Sequence, residues 1–293
     1  MRITQTMINR NVLREFSRKT VRLEEIQRSI ATGKDVSLPS DDPLRFAKAA
    51  RLKEASRQNE QFMDNINSAL GWIDESGNYL QQMEDMLLEA KSYAQRGADG
   101  ITTDDTRQVL AGEVDALFNE FVTLTNADFL GKNVFAGTDT KGGQPFTRGA
   151  TGVTYSGNDQ RMDRRVADRL TVEINVTGQE IEDTGAFVAL NDLHAALLAN
   201  DTAALSGLID QLDTAANNML NLSARNGSVR NTLALTRERL ENANLSLATY
   251  ISDAEDVDIA DAIVQYETEQ TAFNAAMQSG SKLLHLNILN LLR

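Results

Sequence analysis

Apolar residues recur in alternating steps of three and four along most of this 293-residue chain. The longest such stripe follows Asp42, a predicted helix N-cap because proline stands at the next position, and ends near Gly97 and Gly100. Its apolar members are Leu52, Ala55, Phe62, Ile66, Ala69, Ile73, Leu80, Met83, Leu87, Ala90 and Ala94. A stripe of about six heptads is typical of a helix in a coiled coil or bundle.

Further helices are predicted later in the chain. Thr-Thr-Asp-Asp-Thr at 102–106 begins one that keeps an apolar face to about Asp128. The helical pattern returns at 186–198 and resumes after Asp201, a predicted N-cap. Ser252 and Glu255 have the spacing of a capping box, which predicts that this helix breaks there and restarts as a terminal helix.

Between these helices the composition changes. Nine of the 18 glycines lie from Gly131 to Gly185, which indicates turns and short strands. Apolar residues at 170, 172, 174 and 176 alternate with polar ones, as in a half-buried strand, and Val153 and Tyr155 predict another strand. Residues 131–185 are therefore predicted to form a small β-rich lobe.

Both ends of the chain carry an apolar seam on a predicted helix. The eleven seam residues are Leu13, Phe16, Leu23 and Ile30 near the start, and Ile259, Ile263, Tyr266, Phe273, Met277, Leu284 and Leu291 near the end. A terminal helix with such a face needs a partner, either in the same molecule or in another one. These residues are the candidate assembly interface.

The two ends also carry opposite charge. Residues 1–34 hold eight basic and three acidic side chains, whereas residues 253–293 hold two basic and seven acidic ones. Opposite charges beside apolar seams predict that the ends pair as a coiled coil. Two alternatives remain: the C-terminal helix docks on its own domain as an ordinary core element, or the basic N-terminal helix lies on an anionic membrane, which the acidic remainder of the chain opposes.

Together these patterns predict a mainly α fold, a long antiparallel helical rod made from both chain ends with a small β-rich insertion. The predicted domains are an N-terminal arm (1–42) that pairs with a C-terminal amphipathic helix (257–293), two rod halves (43–130 and 186–256) and the outer lobe (131–185).

Composition narrows the function classes. A net charge of −13 argues against nucleic acid as a partner. The chain has no cysteine, which excludes disulfides and thiolate chemistry. No apolar run approaches the roughly 20 residues of a membrane span, and no secretory signal follows the first methionine. These features favour a cytoplasmic protein, or one that is exported without a cleaved signal.

Enzyme motifs do not emerge from the sequence. His194 and His285 are the only histidines and neither belongs to an HExxH pattern. Gly142-Gly143 lacks the lysine and following helix of a phosphate loop, and capping explains Asp41 and Asp42 without catalysis. The sequence therefore predicts no catalytic, cofactor or metal site and a protein that is not an enzyme.

Short motifs spread along the chain resemble the bacterial flagellin family. They are Met-Arg-Ile-Thr at 1–4, Ala-Thr-Gly-Lys at 31–34, Pro-Ser-Asp-Asp-Pro at 39–43, Asn-Val-Phe-Ala-Gly at 133–137, Pro-Phe at 145–146, Ser-Ala-Arg-Asn-Gly at 223–227 and the closing Leu-Asn-Ile-Leu-Asn-Leu-Leu at 286–292. The resemblance covers nearly the whole chain, loosely in the β lobe. Filament flagellins typically have Ala-Lys-Asp-Asp-Ala at the third motif. The sequence of this motif here is therefore more similar to the hook-associated branch of the family.

The resemblance implies a structural subunit of the bacterial flagellum whose paired termini form the inner core of a tube. It implies a junction ring between hook and filament, built from about eleven copies. Its neighbours would be the preceding hook-associated protein and flagellin, and a cytoplasmic export chaperone would cover the C-terminal helix. The flagellar type III apparatus would export the chain to the cell exterior. The alternatives are a filament-forming flagellin and, from a different class, a cytoplasmic coiled-coil signalling protein.

Overall fold

A computed structural model describes residues 5–149 and 152–291, with side chains described for 7, 10–149 and 152–281. The described residues form the helices α1 (Gln5–Thr32), α2 (Pro43–Ala98), α3 (Asp104–Thr125), α4 (Gly178–Glu182), α5 (Ala186–Ala199), α6 (Thr202–Glu255) and α7 (Ile259–Leu291). They also form three antiparallel hairpins, from β1 (Asp128–Phe129) and β2 (Lys132–Asn133), β3 (Phe146–Gly149) and β4 (Gly152–Tyr155), and β5 (Asp163–Ala167) and β6 (Leu170–Glu173). The predicted mainly helical fold with a small β-rich insertion is confirmed. In the described part of the chain, no helix combines the length and apolarity that crossing a membrane requires.

The predicted helix starts agree with the observed caps. Asp42 Oδ1 accepts hydrogen bonds from the backbone N–H of Leu44 at 2.9 Å and of Arg45 at 3.0 Å. Asp201 Oδ1 accepts in the same way from Ala203 and Ala204. Each carboxylate thus satisfies two of the N–H groups that the first helical turn leaves unpaired.

The predicted helix break at Ser252 is wrong by a few residues. Ser252 lies inside α6, and its hydroxyl donates to Asp256 Oδ2 at 2.6 Å. The cap of α7 is Asp258, whose Oδ1 accepts from the N–H groups of Ala260 at 2.9 Å and Asp261 at 3.2 Å. A serine with a glutamate three residues later is also compatible with a helix interior, so the spacing alone does not place the break.

The strand predicted over 170–176 ends at Glu173. Beyond it, the side chain of Asn175 takes over the pairing, because its Oδ1 accepts from Met162 N–H at 2.7 Å and its Nδ2 donates to the Gln160 carbonyl at 3.1 Å. Ile174 and Val176 are nevertheless buried, as the alternation predicted. The sequence pattern therefore gave the correct buried face but not the end of the strand.

The described chain divides into two compact units. The terminal unit contains the residues up to Gln58 together with those from Asn242, and the middle unit contains Asn59–Glu241. Both boundaries fall inside long helices, α2 and α6.

In the middle unit, α2 and α6 run antiparallel. Asn226 Nδ2 on α6 donates to the Ile73 carbonyl on α2 at 2.8 Å, and Lys91, further along α2, pairs with Asp213, which lies earlier on α6. The α2 stripe fills the core, with Ile66, Ile73, Leu80, Met83 and Leu87 essentially inaccessible to water. Phe121 of α3 packs edge-on against Phe187 of α5, with ring centroids 5.4 Å apart.

The β hairpins are attached to this core by aromatic residues. Phe146 is 1% exposed, and its ring lies 5.3 Å from that of Phe187 and 4.9 Å from that of Tyr155. Asn126, just after α3, clamps the same strand because its side chain donates to the Phe146 carbonyl and accepts from the Phe146 N–H, both at 2.8 Å. A Cβ on Gly178 would collide with the Tyr155 ring, so this close approach requires glycine.

One carboxylate joins the hairpin region to α6. Glu180 on α4 accepts bidentate hydrogen bonds from Arg161 at 2.8 and 2.9 Å and from Arg225 at 2.6 and 2.7 Å. Burial by itself raises the pKa of Glu180, but the two arginines outweigh burial and lower the pKa to about 2. Arg225 and Asn226 belong to the motif at 223–227, which thus ties α6 to both α4 and α2.

Replacing Glu180 with glutamine is expected to lower the free energy of unfolding of the middle unit by about 2–3 kcal/mol near neutral pH, because it removes a charge held by two arginines. Since the pKa of Glu180 is depressed, the wild-type advantage is full above pH 4.5 and disappears as pH falls toward 2. Urea unfolding of wild type and variant at several pH values measures the difference. Glu182→Gln, an exposed neighbour on the same helix, is the control. Equal effects of the two changes at neutral pH would contradict this assignment.

Candidate assembly interface

The terminal unit is organised around two connections that lie side by side. One joins α1 to α2, and the other, residues 256–258, joins α6 to α7. Lys34 and Asp256 form an isolated antiparallel bridge, Asp35 N–H donates to the Glu255 carbonyl at 2.7 Å, and Val257 N–H donates to the Gly33 carbonyl at 3.1 Å. The start of α7 is therefore fastened to the end of α1 through backbone hydrogen bonds.

The motif Pro-Ser-Asp-Asp-Pro shapes the α1–α2 connection. Asp41 Oδ2 accepts from the N–H of Leu38 at 2.8 Å and of Ser37 at 3.0 Å, and its Oδ1 accepts from Arg28 at 3.1 Å. These backbone N–H donors, with Arg28, lower the pKa of Asp41. With Asp42 capping α2, each aspartate of the motif has a structural role.

A buried carboxylate lies beneath the two connections. The Glu255 side chain is 4% exposed and forms ion pairs with Lys34, at 3.0 Å, and with Lys53 of α2. Burial raises the pKa of Glu255, but hydrogen bonds from Lys53 and Lys34 outweigh it, so the pKa lies below its usual value. The same contact with Glu255 raises the pKa of Lys34. We call Glu255, Lys34 and Lys53 the latch. It joins the α1–α2 connection, α2 and α6 at the point where α7 begins.

Beyond the latch, α1 and α7 pack against each other. The rings of Phe16 and Phe273 meet edge to face with centroids 6.0 Å apart. Lys19 Nζ lies 3.0 Å from Glu269 Oε2, an ion pair between a basic α1 and an acidic α7. Gly280 lies so close to the Phe16 ring that an added Cβ would be 3.1 Å from it.

The predicted seam residues fall into three groups. Those half-buried in the terminal unit are Phe16, Leu23, Ile30, Tyr266 and Phe273. Those exposed are Leu13 at 67%, Ile259 at 51%, Ile263 at 44% and Met277 at 52%. Leu284 and Leu291 have side chains outside the described residues.

Helix geometry explains this division. Successive helical residues are rotated by about 100°, so the predicted C-terminal seam is offset from the face that α1 covers. That face contains Ala262, which is 5% exposed, and Gly280. Ile259, Ile263 and Met277 lie beside it and form an uncovered apolar flank, which we call the α7 flank.

Sequence reasoning missed the residues that are most buried in this pair. On α1, Ile26 is 6% exposed, and Val12 is half-buried where Leu13 points outward. The sequence signal for these residues is a second series of positions at steps of three and four along α1. This series begins at Val12 and is apolar except at Lys19. A lysine fits there because its stem packs along the helix while its ammonium reaches Glu269.

A polar groove of 490 Å³ opens between α1 and the start of α7. Its charged walls include Arg22 and Arg28 from α1 and Asp256, Asp258 and Asp261 from the other side. Opposite charges thus face each other across it. Within the described residues, no group of three or more histidines, aspartates or glutamates is arranged to hold a metal ion.

Family models match both ends of the chain. The bacterial flagellin N-terminal helical region matches residues 3–140, and the bacterial flagellin C-terminal helical region matches residues 209–292. The two matches include the α1–α7 pair and the latch.

Individual relatives align over the full chain. Flagellar hook-associated protein 3 of Salmonella typhimurium is 24% identical over 319 aligned positions, which cover 98% of this chain and 100% of that protein. The flagellar filament core protein FlaB2 of Brachyspira hyodysenteriae is 24% identical over 299 positions, with 98% and 100% coverage. Among solved structures, the flagellar junction protein FlgL from Legionella pneumophila has the same fold, with a TM-score of 0.60 at 14% identity, over 73% of this chain and 100% of that one.

Proposed function

This chain belongs to the bacterial flagellin family of flagellar structural proteins, and from that premise we propose that it forms the junction ring between the hook and the filament. The observation that carries the proposal is the similarity to hook-associated protein 3 over essentially the whole length of both proteins. The role is structural rather than catalytic.

The α7 flank supplies the physical reason for assembly. Ile259, Ile263 and Met277 lie on one side of α7 and remain about half exposed although α1 already covers the neighbouring face. Burial of apolar surface contributes about 25 cal/mol per Å², so exposed apolar residues along one side of a helix favour contact with a second molecule. We propose that the eleven seam residues named above act together, five of them partly covered by the α1–α7 pair and the others contacting neighbouring subunits.

The proposed partners follow from this position. Copies of the chain occupy one ring of about eleven, with the preceding hook-associated protein on one side and flagellin on the other. Before export through the flagellar type III apparatus, a cytoplasmic chaperone covers the C-terminal helix. The final location is the flagellum outside the cell. The acidic net charge of −13 is consistent with partners other than nucleic acid or anionic membrane.

A filament-forming flagellin is the second candidate. It is favoured by the similarity to a filament core protein, which is as extensive as that to hook-associated protein 3. The two candidates differ in one property: a filament subunit adds to its own kind without limit, whereas a junction subunit stops after one ring.

Deletion of the gene is expected to leave intact hooks without filaments and to release flagellin monomers into the medium, because flagellin would have no layer on which to polymerise. In electron micrographs, purified chain added to short filament seeds is expected to remain monomeric or to form rings. The gene restored on a plasmid is the control for the deletion. Normal filaments in the deletion strain, or long polymers of the pure chain, would overturn the junction proposal, and the polymers would support the flagellin alternative.

A further inference from the structure

A second groove lies in the middle unit, lined by α2 and by residues of the first and third hairpins. It has a volume of 740 Å³, within the range of ligand-sized clefts. Its walls come from α2 near Trp72, from the first hairpin at Phe129 and Leu130, and from the segment around the third hairpin, with Met162 and Ile174. Leu130 is 84% exposed, so part of this apolar lining faces water.

Two features of the groove indicate the chemistry of an occupant. Lys132 and Arg164 stand at its rim, and neither forms an ion pair with an acidic side chain of the described chain. Trp72 is 7% exposed and forms part of the apolar wall together with Leu130. An occupant should therefore combine an aliphatic side chain with acidic groups.

The loop between α2 and α3 has this composition. Ile101 is 87% exposed at its tip. Asp99, Asp104 and Asp105 surround the tip and are exposed. Asp105 is without an ion-pair partner in the described part of the chain.

The loop is also held in one shape. The buried Arg107 donates from Nε to the Gly97 carbonyl at 2.9 Å, and Thr102 Oγ1 donates to the Arg96 carbonyl at 2.7 Å. Thr103 caps α3 by accepting from Thr106 N–H. A loop already held in its bound shape loses little conformational entropy when it docks.

The loop and the groove cannot meet within one molecule. Both belong to the middle unit, and α2 runs continuously from Trp72 to Ala98. At 1.5 Å of rise per residue, that stretch separates them by about 40 Å.

We propose that the groove receives the α2–α3 loop of a second copy of the chain, with Ile101 against Trp72 and Leu130 and the loop aspartates facing Lys132 and Arg164. Such a contact joins different surfaces of the two copies, so the copies associate head to tail, and in the proposed junction this association closes into a ring. Local charge pairing is needed because two chains of net charge −13 otherwise repel each other. The contact is separate from the α7 flank and does not depend on the junction role.

The chain has no native cysteine, so a disulfide between two engineered cysteines can form only at the positions chosen to test the contact. Gly100→Cys places a thiol beside Ile101 where an added Cβ meets nothing, and Ser68→Cys places one on the groove wall. The two variants, mixed and mildly oxidised, are expected to form a disulfide-linked heterodimer faster than Gly100→Cys mixed with Gly112→Cys. Gly112 is exposed on α3, and a Cβ there also meets nothing.

Charge exchange tests the recognition itself. Lys132→Glu with Arg164→Glu in the Ser68→Cys chain is expected to reduce the rate of cross-linking about fivefold or more, roughly 1 kcal/mol of lost pairing. Asp105→Lys in the Gly100→Cys chain is expected to restore the cross-linking rate.

Thermal melts check that every variant folds. The proposal would be overturned if cross-linking were no faster than with the Gly112→Cys control. It would also be overturned if the charge changes left the cross-linking rate unaltered. Because these readouts use purified protein, they are independent of the hook and filament phenotype.

Discussion

Replacing Leu80 with aspartate is expected to unfold the middle unit or to lower its free energy of unfolding by about 4 kcal/mol or more. Leu80 is fully buried on the α2 stripe that fills this core. A carboxylate there would be enclosed among the apolar side chains of this core, so it must either stay charged at a large desolvation penalty or become protonated. Thermal melts followed by circular dichroism measure the effect.

Leu88→Asp is the matched control, since it makes the same change two turns later on the same helix. Leu88 is 47% exposed, so its carboxylate can be solvated, and the melting temperature should move little. Similar losses at the two positions would mean that the α2 stripe does not define the core of this unit.

Replacing Glu255 with alanine is expected to destabilise the terminal unit by about 2–3 kcal/mol. This is less than the 3–5 kcal/mol typical of a broken buried pair, because the two lysines are about 40% exposed and can turn toward water. The loss should appear as faster amide hydrogen exchange in α1 and α7, since the latch lies where their connections meet.

Lowering the pH should likewise destabilise the terminal unit of the wild-type chain. The pKa of Glu255 lies below 4.5, so the stability contributed by the latch is present above that value and is lost as pH falls below it. The difference between wild type and Glu255→Ala should therefore shrink at low pH. Glu267→Gln, an exposed change on α7, serves as the control. Unchanged exchange in α1 and α7 of the Glu255 variant would show that the backbone bridges alone hold the connections.

The helical pattern was readable from the sequence because it depends on local chemistry. A buried helix face needs apolar residues at steps of three and four, and an N-terminus needs an oxygen to accept its free N–H groups. Asp42 and Asp201 met that condition and were located correctly. Ser252 also met the pattern, but Asp258 is the residue that caps the terminal helix.

The faces of the terminal helices were harder to predict. Leu13 and Val12 are rotated by about 100° from each other on α1, but the seams that contain them share Phe16, Leu23 and Ile30, so both have an acceptable spacing. The choice is decided by the partner helix, which covers Val12 and leaves Leu13 exposed.

The sequence by itself determined the helical class, the presence of a small β-rich insertion and the family, because periodicity, turn residues and motifs are properties of neighbouring positions. Only the tertiary structure revealed the latch and the groove. Glu255 meets Lys34 and Lys53 across more than 200 residues of chain, and the groove combines residues from α2 and two hairpins. Charge, burial and acceptor geometry at such places depend on which distant segments come together, and no local pattern encodes that.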